Sequence, residues 1–398
     1  MVREIAISLY LFIFKCFFTL FNLFSLKDKT TFVVSFGDNS KYVYEEMRRQ
    51  EAQDDVVFLC KGKSITHFKG YKDVTLIAFE STDILGWFKS VYHLATSKHI
   101  LVDNYFGFLA VTNFKEDVEC IQLWHATGAI KKFGLQDLSI KDRSEKAVQR
   151  FLKVYHRFDK VVVGSDTMAR IFKEAFSLGD ENILRTGIPR TDFFYDEPQK
   201  QRAVQTLTNE NKLLQEKKVI LYAPTYRDNE LTQFNLQLNL EKMKNELGEG
   251  YIVILRLHPA IKVTEDYTRK YPDFLFDYSS ELYDINDLLL ISDYLITDYS
   301  SISYEYCLLR KPMIFFTYDL EQYKSKRGIW EGFEENLPGP MVMDTESIIE
   351  LIKKDYVDYS LIDSYAEKWN KYSTGQSSSN LVHYMYGQSS DVNRKLGQ

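Results

Sequence analysis

Short apolar segments alternate with segments of helical spacing along almost the whole 398-residue chain. The strand-like segments are 32–36, 55–60, 75–78, 100–102, 119–123, 160–163, 218–222, 251–255, 274–276, 294–297 and 313–316. Strands separated by helices predict parallel sheets that are covered by helices on both faces. We therefore predict an α/β protein of two doubly wound halves, joined near the loop 185–190 and facing each other across a cleft.

The bulk composition agrees with two well-filled domains. One hydrophobic core rarely grows beyond about 250–300 residues, and 45% hydrophobic with 15% aromatic residues can fill two cores. The net charge of -6 disfavours a polyanion-binding chain, so nucleic acid is not expected as a partner. The four scattered cysteines have no CxxC spacing and predict buried free thiols.

The N-terminal segment 5–26 is rich in Ile, Leu and Phe and is flanked by Arg3 and Lys27. No small-residue cleavage site follows it, which disfavours a signal peptide. Lys15 lies near its centre, where a lysine costs a spanning helix about 3 kcal/mol. A helix in the headgroup plane tolerates that lysine, so we predict a membrane-surface anchor over 1–29. A spanning helix and a first helix packed on the protein body remain alternatives.

Polar residues follow the predicted strands at their carboxyl ends, where open parallel sheets place their ligand sites. In the first half these are Asp38, Asn104 and His125, which we therefore expect on one rim. In the second half, clusters beginning at Thr225 and Arg256 follow strands in the same way.

The segment 294–297 predicts a buried strand, and the residues from Asp298 to Ser301 predict the turn and N-cap of a helix. Such a helix start binds anions, because its free backbone N–H groups point outward and Ser300 and Ser301 add hydroxyl donors. An ordinary capped turn without a ligand is the alternative. Glu305 lies one turn into the helix and is either an acceptor for ribose hydroxyls or a solvated residue.

His125 is the candidate general base, because imidazole titrates nearest to neutral pH. Thr127 and Gly128 follow it and leave room for a ligand near the backbone, and Lys131 is close enough in sequence to neutralise a phosphate. A structural histidine is the competing interpretation.

Arg256 and His258 lie in the sequence Arg-Leu-His-Pro. Strand alternation would place both side chains on one side, as a clamp for a diphosphate, with Pro259 ending the strand. A buried His258 held by a backbone carbonyl is the alternative.

Thr225, Tyr226 and Arg227 offer a hydroxyl, a stacking ring and a guanidinium, and Arg327 precedes a glycine and could close over a phosphate. Surface arginines are the alternative. The sequence has no P-loop, GxGxxG, Asp-x-Asp pair or His/Cys metal spacing. We therefore expect no metal ion and no other cofactor, with helix dipoles and cations stabilising the leaving group.

These motifs together resemble the CDP-glycerol glycerophosphotransferase family of Gram-positive wall teichoic acid synthesis. The resemblance runs from about Asp103 to Arg327. It rests on Leu-Trp-His-Ala-Thr-Gly-Ala-Ile-Lys-Lys-Phe-Gly, Thr-Gly-Ile-Pro-Arg-Thr-Asp, Tyr-Ala-Pro-Thr-Tyr-Arg-Asp, Arg-Leu-His-Pro, Ser-Asp-Tyr-Leu-Ile-Thr-Asp-Tyr-Ser-Ser and a final Arg-Gly. The spelling His-Ala-Thr-Gly-Ala-Ile-Lys, without a long N-terminal extension, resembles the primase branch, whereas many polymerase-type relatives have His-Gly-Thr-Pro.

The resemblance implies a GT-B-like fold of two Rossmann-like parallel-sheet domains. It also implies that His125 is the base, that His258 binds the donor phosphate, and that Ser300 and Ser301 lie at the diphosphate. The predicted domains are an amphipathic membrane anchor over 1–29, an acceptor domain over 30–195, a CDP-glycerol-binding domain over 196–375, and a C-terminal helix and tail over 376–398.

The predicted reaction transfers glycerol phosphate from CDP-glycerol to an undecaprenyl-diphosphate-linked ManNAc-GlcNAc disaccharide and releases CMP. It takes place at the cytoplasmic side of the cell membrane, with other teichoic acid enzymes as further partners. His125 deprotonates the acceptor hydroxyl, and the charge that develops is held by Lys131, Arg256, His258 and the Ser300/Ser301 helix start.

Three alternatives stay open. The first is a poly(glycerol phosphate) or ribitol phosphate polymerase or transferase of teichoic acid or capsule synthesis. The second is a non-catalytic membrane scaffold or nucleotide sensor with a degenerate GT-B fold. The third is a sugar-nucleotide glycosyltransferase, because a shared fold does not fix the function.

Overall fold

The computed structural model describes residues 2–227, 235–258, 261 and 266–395, and these form two units. Unit 1 contains residues 2–127, Phe133–Asp192 and 370–395. Unit 2 contains Gly128–Lys132 and the described part of Phe193–Trp369. The chain therefore enters unit 2 once briefly and once at length before it returns to unit 1.

The described part of unit 1 holds a seven-stranded parallel sheet in the order β3-β2-β1-β4-β5-β6-β7. Its strands are β1 (Lys27–Val34), β2 (Asp55–Lys61), β3 (Val74–Phe79), β4 (Ser97–Val102), β5 (Glu119–Gln122), β6 (Lys160–Val162) and β7 (Ile183–Leu184). Its α-helices are α1 (Val2–Phe21), α2 (Asp38–Arg49), α3 (Ile84–Thr96), α4 (Glu145–Tyr155), α5 (Asp166–Phe176) and, at the C-terminal end, α15 (Ser377–Lys395). The strand order reverses between β1 and β4, which is where open α/β sheets place their ligand site.

The central strands of this sheet are almost wholly apolar because helices cover both of its faces. Phe32 is fully buried, lies in register with Phe58 and stacks on it with ring centroids 4.8 Å apart. Leu381 and Val382 of α15 are fully buried in the same core. The C-terminal helix is therefore part of the core of unit 1.

The described part of unit 2 holds a six-stranded parallel sheet in the order β10-β9-β8-β11-β12-β13. Its strands are β8 (Lys218–Tyr222), β9 (Tyr251–Leu255), β10 (Leu275–Asp277), β11 (Tyr294–Thr297), β12 (Met313–Phe316) and β13 (Met341–Val342). The helices between and after them are α6 (Glu197–Glu210), α7 (Leu213–Glu216), α8 (Leu240–Leu247), α9 (Tyr267–Lys270), α10 (Ile285–Ile291), α11 (Ile302–Tyr306), α12 (Leu320–Arg327), α13 (Thr345–Lys353) and α14 (Tyr359–Asn370).

The predicted α/β class with two doubly wound parallel sheets is confirmed. The sequence interpretation missed β7 and β13, which have two residues each, and began β1 at Phe32 although the strand begins at Lys27. A strand of two residues is too short to show a period, and the first five residues of β1, Lys-Asp-Lys-Thr-Thr, are all polar, so neither gives a strand signal on its own. The predicted domain boundaries and the substrates assigned to each domain stay predictions.

Helix α1 packs on α3 through one face and exposes the other. On the inner face, Phe14 is fully buried and meets the Trp87 ring edge-on at 5.8 Å. On the outer face, Ile5, Leu9 and Phe12 are each more than half exposed. Among the described helices, α1 is the one that is long and apolar enough, by length and composition, to cross a membrane. Packing on the body and an exposed apolar face thus occur together in one helix.

Candidate functional site

His125 lies three residues beyond β5, at the carboxyl edge of the sheet of unit 1. Trp124 before it has a φ of 57°, a conformation that is uncommon and costly for a residue with a bulky side chain. The Trp124 N–H donates to Oε1 of Gln122 at 2.8 Å, and its ring packs on Phe172 and Phe176. These contacts hold the strained turn that presents His125.

The imidazole of His125 is held in one tautomer. Its Nδ1 lies 3.2 Å from the carbonyl oxygen of Asp103. A carbonyl only accepts, so Nδ1 carries the hydrogen and Nε2 keeps its lone pair. Burial lowers the pKa of His125 to about 4, against the opposing effect of the Asp103 bond and with a further lowering by the charge of Arg190. At neutral pH the ring is therefore an uncharged base.

Arg190 and Asn39, which the sequence interpretation left out of the site, hold the backbone at His125. Nη1 of Arg190 donates to the His125 carbonyl at 2.8 Å, and the Arg190 N–H donates to Oδ1 of Asn39 at 3.0 Å. Nδ2 of Asn39 donates to the Trp124 carbonyl at 2.9 Å. Both residues lie in polar segments, which is the sequence signal that could have indicated them. Sequence spacing, however, did not show that they bind each other and the backbone at His125.

Asp103 was also missed, although it directly follows β4. It is 1% exposed, and its carboxylate accepts the N–H groups of Ser35, Phe36 and Gly37 at 2.8, 2.8 and 2.9 Å. Burial raises the pKa of Asp103 to about 6, although the three hydrogen bonds oppose the rise. Asp103 thus ties the end of β4 to the loop after β1.

Thr127 and Gly128 fall in different units, Thr127 at the end of a unit 1 segment and Gly128 at the start of a unit 2 segment. Thr127 is fully buried. A Cβ added at Gly128 would lie 2.5 Å from the ring of Tyr304, so this glycine is required by packing in unit 2. The space beside Gly128 is thus filled by a tyrosine ring, and the predicted approach of a ligand to this backbone stays a prediction.

The segment around Lys131 pairs with the segment that follows Arg327. Lys131 lies opposite Ile329 in an antiparallel bridge, and the N–H of Trp330 donates to the Ile130 carbonyl at 2.9 Å. Two predicted site residues that are almost 200 positions apart in the sequence are thereby brought into neighbouring segments of unit 2.

Four predicted site residues meet in unit 2 around tyrosine rings. Nζ of Lys131 lies 5.6 Å from the centre of the Tyr323 ring, and the Arg327 guanidinium lies 6.0 Å from that of Tyr226. The rings of Tyr226 and His258 are 4.7 Å apart. Burial first, and then the charge of Lys131, lower the pKa of His258. This basic and aromatic cluster has the character of a nucleotide phosphate site.

Arg227 is 8% exposed and pairs with two carboxylates at strand ends. It donates to Asp319 through Nε at 2.8 Å and Nη2 at 2.9 Å, and to Asp298 through Nη2 at 3.0 Å. Asp298 also accepts the N–H of Thr225 at 2.8 Å. Burial alone would lower the pKa of Arg227, but these two carboxylates raise it above its usual value. The network joins the loops after β8, β11 and β12.

Arg256 and His258 lie beyond the end of β9, so the argument from strand alternation is wrong. Nη1 of Arg256 donates to the carbonyls of Tyr278 and Ser280 at 2.6 and 2.7 Å and holds the loop after β10. Pro259 lies outside the described residues.

The turn after β11 leads into α11, a helix of five residues. Ser301 occupies the N-cap position as predicted, but among the described residues its side chain makes no capping hydrogen bond. Oγ of Ser300 accepts the N–H of Ile302 at 3.5 Å, which is a weak bond. Glu305 is 2% exposed, so the alternative of a solvated residue is wrong.

Within the described residues, no group of three or more His, Cys, Asp or Glu side chains is placed to hold a metal ion. Cys60, Cys120 and Cys307 are buried free thiols, as predicted. Cys16 is exposed on α1, so the prediction is wrong for that residue.

The chain matches one family over nearly its whole length. The model of CDP-Glycerol:Poly(glycerophosphate) glycerophosphotransferase matches residues 16–387. The chain is 36% identical over 385 residues to the teichoic acid glycerol-phosphate primase of Bacillus subtilis strain 168, covering 96% of this chain and 98% of the relative. It is 34% identical over 365 residues to the primase of the same name from Bacillus spizizenii strain W23, covering 90% and 92%.

The fold matches as well. A structure of the wall teichoic acid polymerase TagF, in a variant soaked with CDPG, superposes with a TM-score of 0.79 at 25% identity, covering 100% of this chain and 99% of that one. The two parallel sheets are therefore those of a GT-B-like fold. With a family match that spans most of the chain and relatives above 30% identity, the protein belongs to the CDP-glycerol:poly(glycerophosphate) glycerophosphotransferase family of transferases.

Proposed function

We propose that this enzyme transfers one glycerol phosphate from CDP-glycerol to a lipid-linked ManNAc-GlcNAc disaccharide and releases CMP, as the priming step of teichoic acid synthesis. The observation that carries the proposal is the uncharged imidazole of His125, whose Nε2 lone pair is available at a sheet edge where ligands bind. The two relatives named as glycerol-phosphate primases, which are covered over 98% and 92% of their lengths, support the glycerol donor and the priming step.

The donor binds to the basic and aromatic cluster of unit 2. Its diphosphate is an anion, and Lys131, His258 and Arg327 offer cations and a hydrogen-bond donor within one group of rings. The Tyr226 ring provides a surface on which a cytosine can stack. The other predicted donor ligands are Thr225, Arg227, Arg256, Asp298, Ser300, Ser301 and Glu305. Of these, Arg227, Asp298 and Arg256 shape the loops through the bonds described above.

In the proposed reaction, Nε2 of His125 takes the proton of an acceptor hydroxyl while the hydroxyl oxygen attacks the β-phosphorus of CDP-glycerol. The bond from the β-phosphorus to the bridging oxygen breaks, and CMP leaves with that oxygen. Lys131 and His258 offset the charge that develops on the phosphoryl oxygens. Thr127 and Gly128 shape the backbone between the base and Lys131.

The enzyme is proposed to bind peripherally to the cytoplasmic side of the cell membrane, where its lipid acceptor is found. The outer face of α1 exposes Ile5, Leu9 and Phe12, while Phe14 and Phe18 on the inner face are buried in unit 1. Pulling α1 off the body would expose those inner rings to water. An interfacial helix that stays packed on unit 1 satisfies both faces.

The test incubates the purified full-length chain with CDP-glycerol and a lipid-linked disaccharide analogue, and follows CMP release and product mass. One added glycerol phosphate per acceptor is the expected result. A ladder of products would favour the polymerase alternative, for which the superposition on TagF is the supporting observation. Transfer from CDP-ribitol or from a UDP-sugar, in place of CDP-glycerol, would favour the ribitol phosphate or the glycosyltransferase alternative. No CMP release over time would favour the non-catalytic scaffold.

A further inference from the structure

We propose that Asp103 is a positioning residue that fixes both the tautomer and the orientation of the His125 imidazole. The inference rests on the proposed function, in which His125 is the base. It gives a role in the reaction to a residue that lies outside the predicted site and that does not itself touch the reacting atoms.

The main chain of Asp103 fixes the tautomer of His125. Its carbonyl oxygen lies 3.2 Å from Nδ1 of His125 and accepts the hydrogen there. This bond commits the other nitrogen, Nε2, to the unprotonated form that a base requires. Because Asp103 directly follows β4, the acceptor is fixed to the central strands of the sheet.

The side chain of Asp103 fixes the orientation of the His125 ring. Its two carboxylate oxygens hold the N–H groups of Ser35, Phe36 and Gly37 at 2.8–2.9 Å. The Phe36 ring in turn stacks on the imidazole, with centroids 4.1 Å apart and planes 16° from parallel. Phe36 is 44% exposed, so burial of its ring in a core does not explain this position. The carboxylate therefore sets the plane of the imidazole through the Phe36 ring.

One residue thus acts on His125 from the edge of the ring and from its face. The charged groups nearby are Arg190, which binds the His125 carbonyl at 2.8 Å, and Asp38, which lies 3.7 Å from Arg190. Within the described residues, the hydrogen-bond partner of Nδ1 is the carbonyl of Asp103 and not one of these charged groups. The Asp103 carbonyl therefore selects the tautomer.

Asp103→Asn separates the two contributions. The amide keeps one acceptor oxygen but turns an N–H₂ group toward backbone N–H groups, so the loop 35–37 loses part of its anchor. We expect kcat for CMP release to fall about 10²-fold through misplacement of the base, with little change in KM for CDP-glycerol. In long-range ¹H–¹⁵N spectra of protein labelled in histidine, the parent should show the Nδ1–H tautomer. The variant should keep that tautomer, because its main-chain carbonyl is unchanged, while the His125 ring signals shift as the stacked Phe36 ring is displaced.

Asp159→Asn is the matched control, because the Asp159 carboxylate accepts the N–H of Cys120 at 2.7 Å at the opposite end of β5. It removes a carboxylate–backbone bond from the strand that leads to His125, and both the His125 spectrum and kcat should stay as in the parent. Phe36→Leu is a second probe that keeps Asp103. It should lower kcat and shift the His125 ring signals, because the stacked ring is lost, even if Asp103→Asn does not fold.

The proposal is overturned if a folded Asp103→Asn variant, or Phe36→Leu, keeps the parental His125 spectrum and kcat. The spectrum needs no substrate, so it reports on Asp103 even if the reaction has been assigned wrongly. His125→Ala assigns the resonance, and full activity in that variant would instead overturn the proposed role of His125.

Discussion

Arg227 and Asp319 form a two-point ion pair in unit 2, with Nε to Oδ2 at 2.8 Å and Nη2 to Oδ1 at 2.9 Å. The guanidinium also lies 4.8 Å from the centre of the Tyr323 ring, which itself faces Lys131. The pair therefore holds a ring that contacts the proposed donor site, and we expect its loss to lower the stability of the protein.

Asp319→Asn should lower the free energy of unfolding by about 3 kcal/mol, because it leaves a buried guanidinium with one of its two carboxylates missing. Urea unfolding measures the change. Arg310 and Asp363 form a pair of the same geometry at 2.8 and 2.9 Å, with both side chains more than half exposed. Asp363→Asn should therefore cost about 0–1 kcal/mol, and equal losses in the two variants would contradict the argument.

His125→Ala should slow CMP release about 10²–10⁴-fold, the usual contribution of a general base. Binding of CDP-glycerol, measured by calorimetry or thermal shift, should be largely intact because the donor is assigned to unit 2. His156→Ala, at an exposed position after α4, should leave the rate unchanged. Full activity in His125→Ala would remove the base from the proposed reaction.

His125 should titrate with a midpoint near pH 4, because burial lowers the pKa of its ring. The uncharged base is present above that pH and is lost as the pH falls through it, so His125 itself imposes no loss of rate between pH 8 and 6. Removing the nearby positive charge with Arg190→Ala should raise the midpoint, and Arg190→Lys should raise it less. Histidine ¹⁵N shifts provide the measurement, and a midpoint above 6 in the parent would contradict the burial of the ring.

Gly128→Ala should destabilise unit 2 by about 1–3 kcal/mol, as overpacking does in a filled core, because the new Cβ would lie 2.5 Å from the Tyr304 ring. Gly107→Ala is the control, since a Cβ there meets nothing within 4 Å. Thermal unfolding of both variants decides the matter. If the two lose the same stability, packing on Tyr304 is not the reason for the glycine.

Phe12→Glu should reduce binding to vesicles that contain anionic phospholipids. Burying a side chain of this size contributes about 1.5–3 kcal/mol, so the partition coefficient should fall roughly tenfold or more. Leu282→Glu changes a residue that is 89% exposed in unit 2 and should not affect partition. Flotation with vesicles gives the readout, and unchanged binding of the Phe12 variant would argue against insertion of α1.

The sequence predicted the two sheets because each central strand contains a short apolar segment that is followed by polar residues. In β4, for example, the apolar segment 100–102 is followed by Asp103. The sequence predicted Lys131, His258 and Arg327 as phosphate ligands from their local sequence context, and the structure brings these three together in unit 2. Their combined action with His125, which lies in unit 1, stays a prediction.

The residues that were missed are those whose partners are distant in the sequence. Asn39 receives a bond from Arg190 across 151 positions, and Asp319 receives one from Arg227 across 92. Local patterns report strand and helix periodicity, whereas such bonds depend on which strand ends become neighbours in the sheet. The prediction that Arg256 and His258 share one side of a strand was wrong for a different reason. Strand alternation was applied to residues beyond Leu255, where β9 ends.

The return of α15 to unit 1 has a consequence for biosynthesis. Leu381 and Val382 fill the core under β1 and β2, and Asp192 accepts the N–H groups of Ser377 and Ser378. During synthesis on the ribosome, part of the apolar surface of the unit 1 sheet stays uncovered until the whole of unit 2 and then α15 have emerged. Unit 2 is thus an insertion that delays the completion of the unit made first.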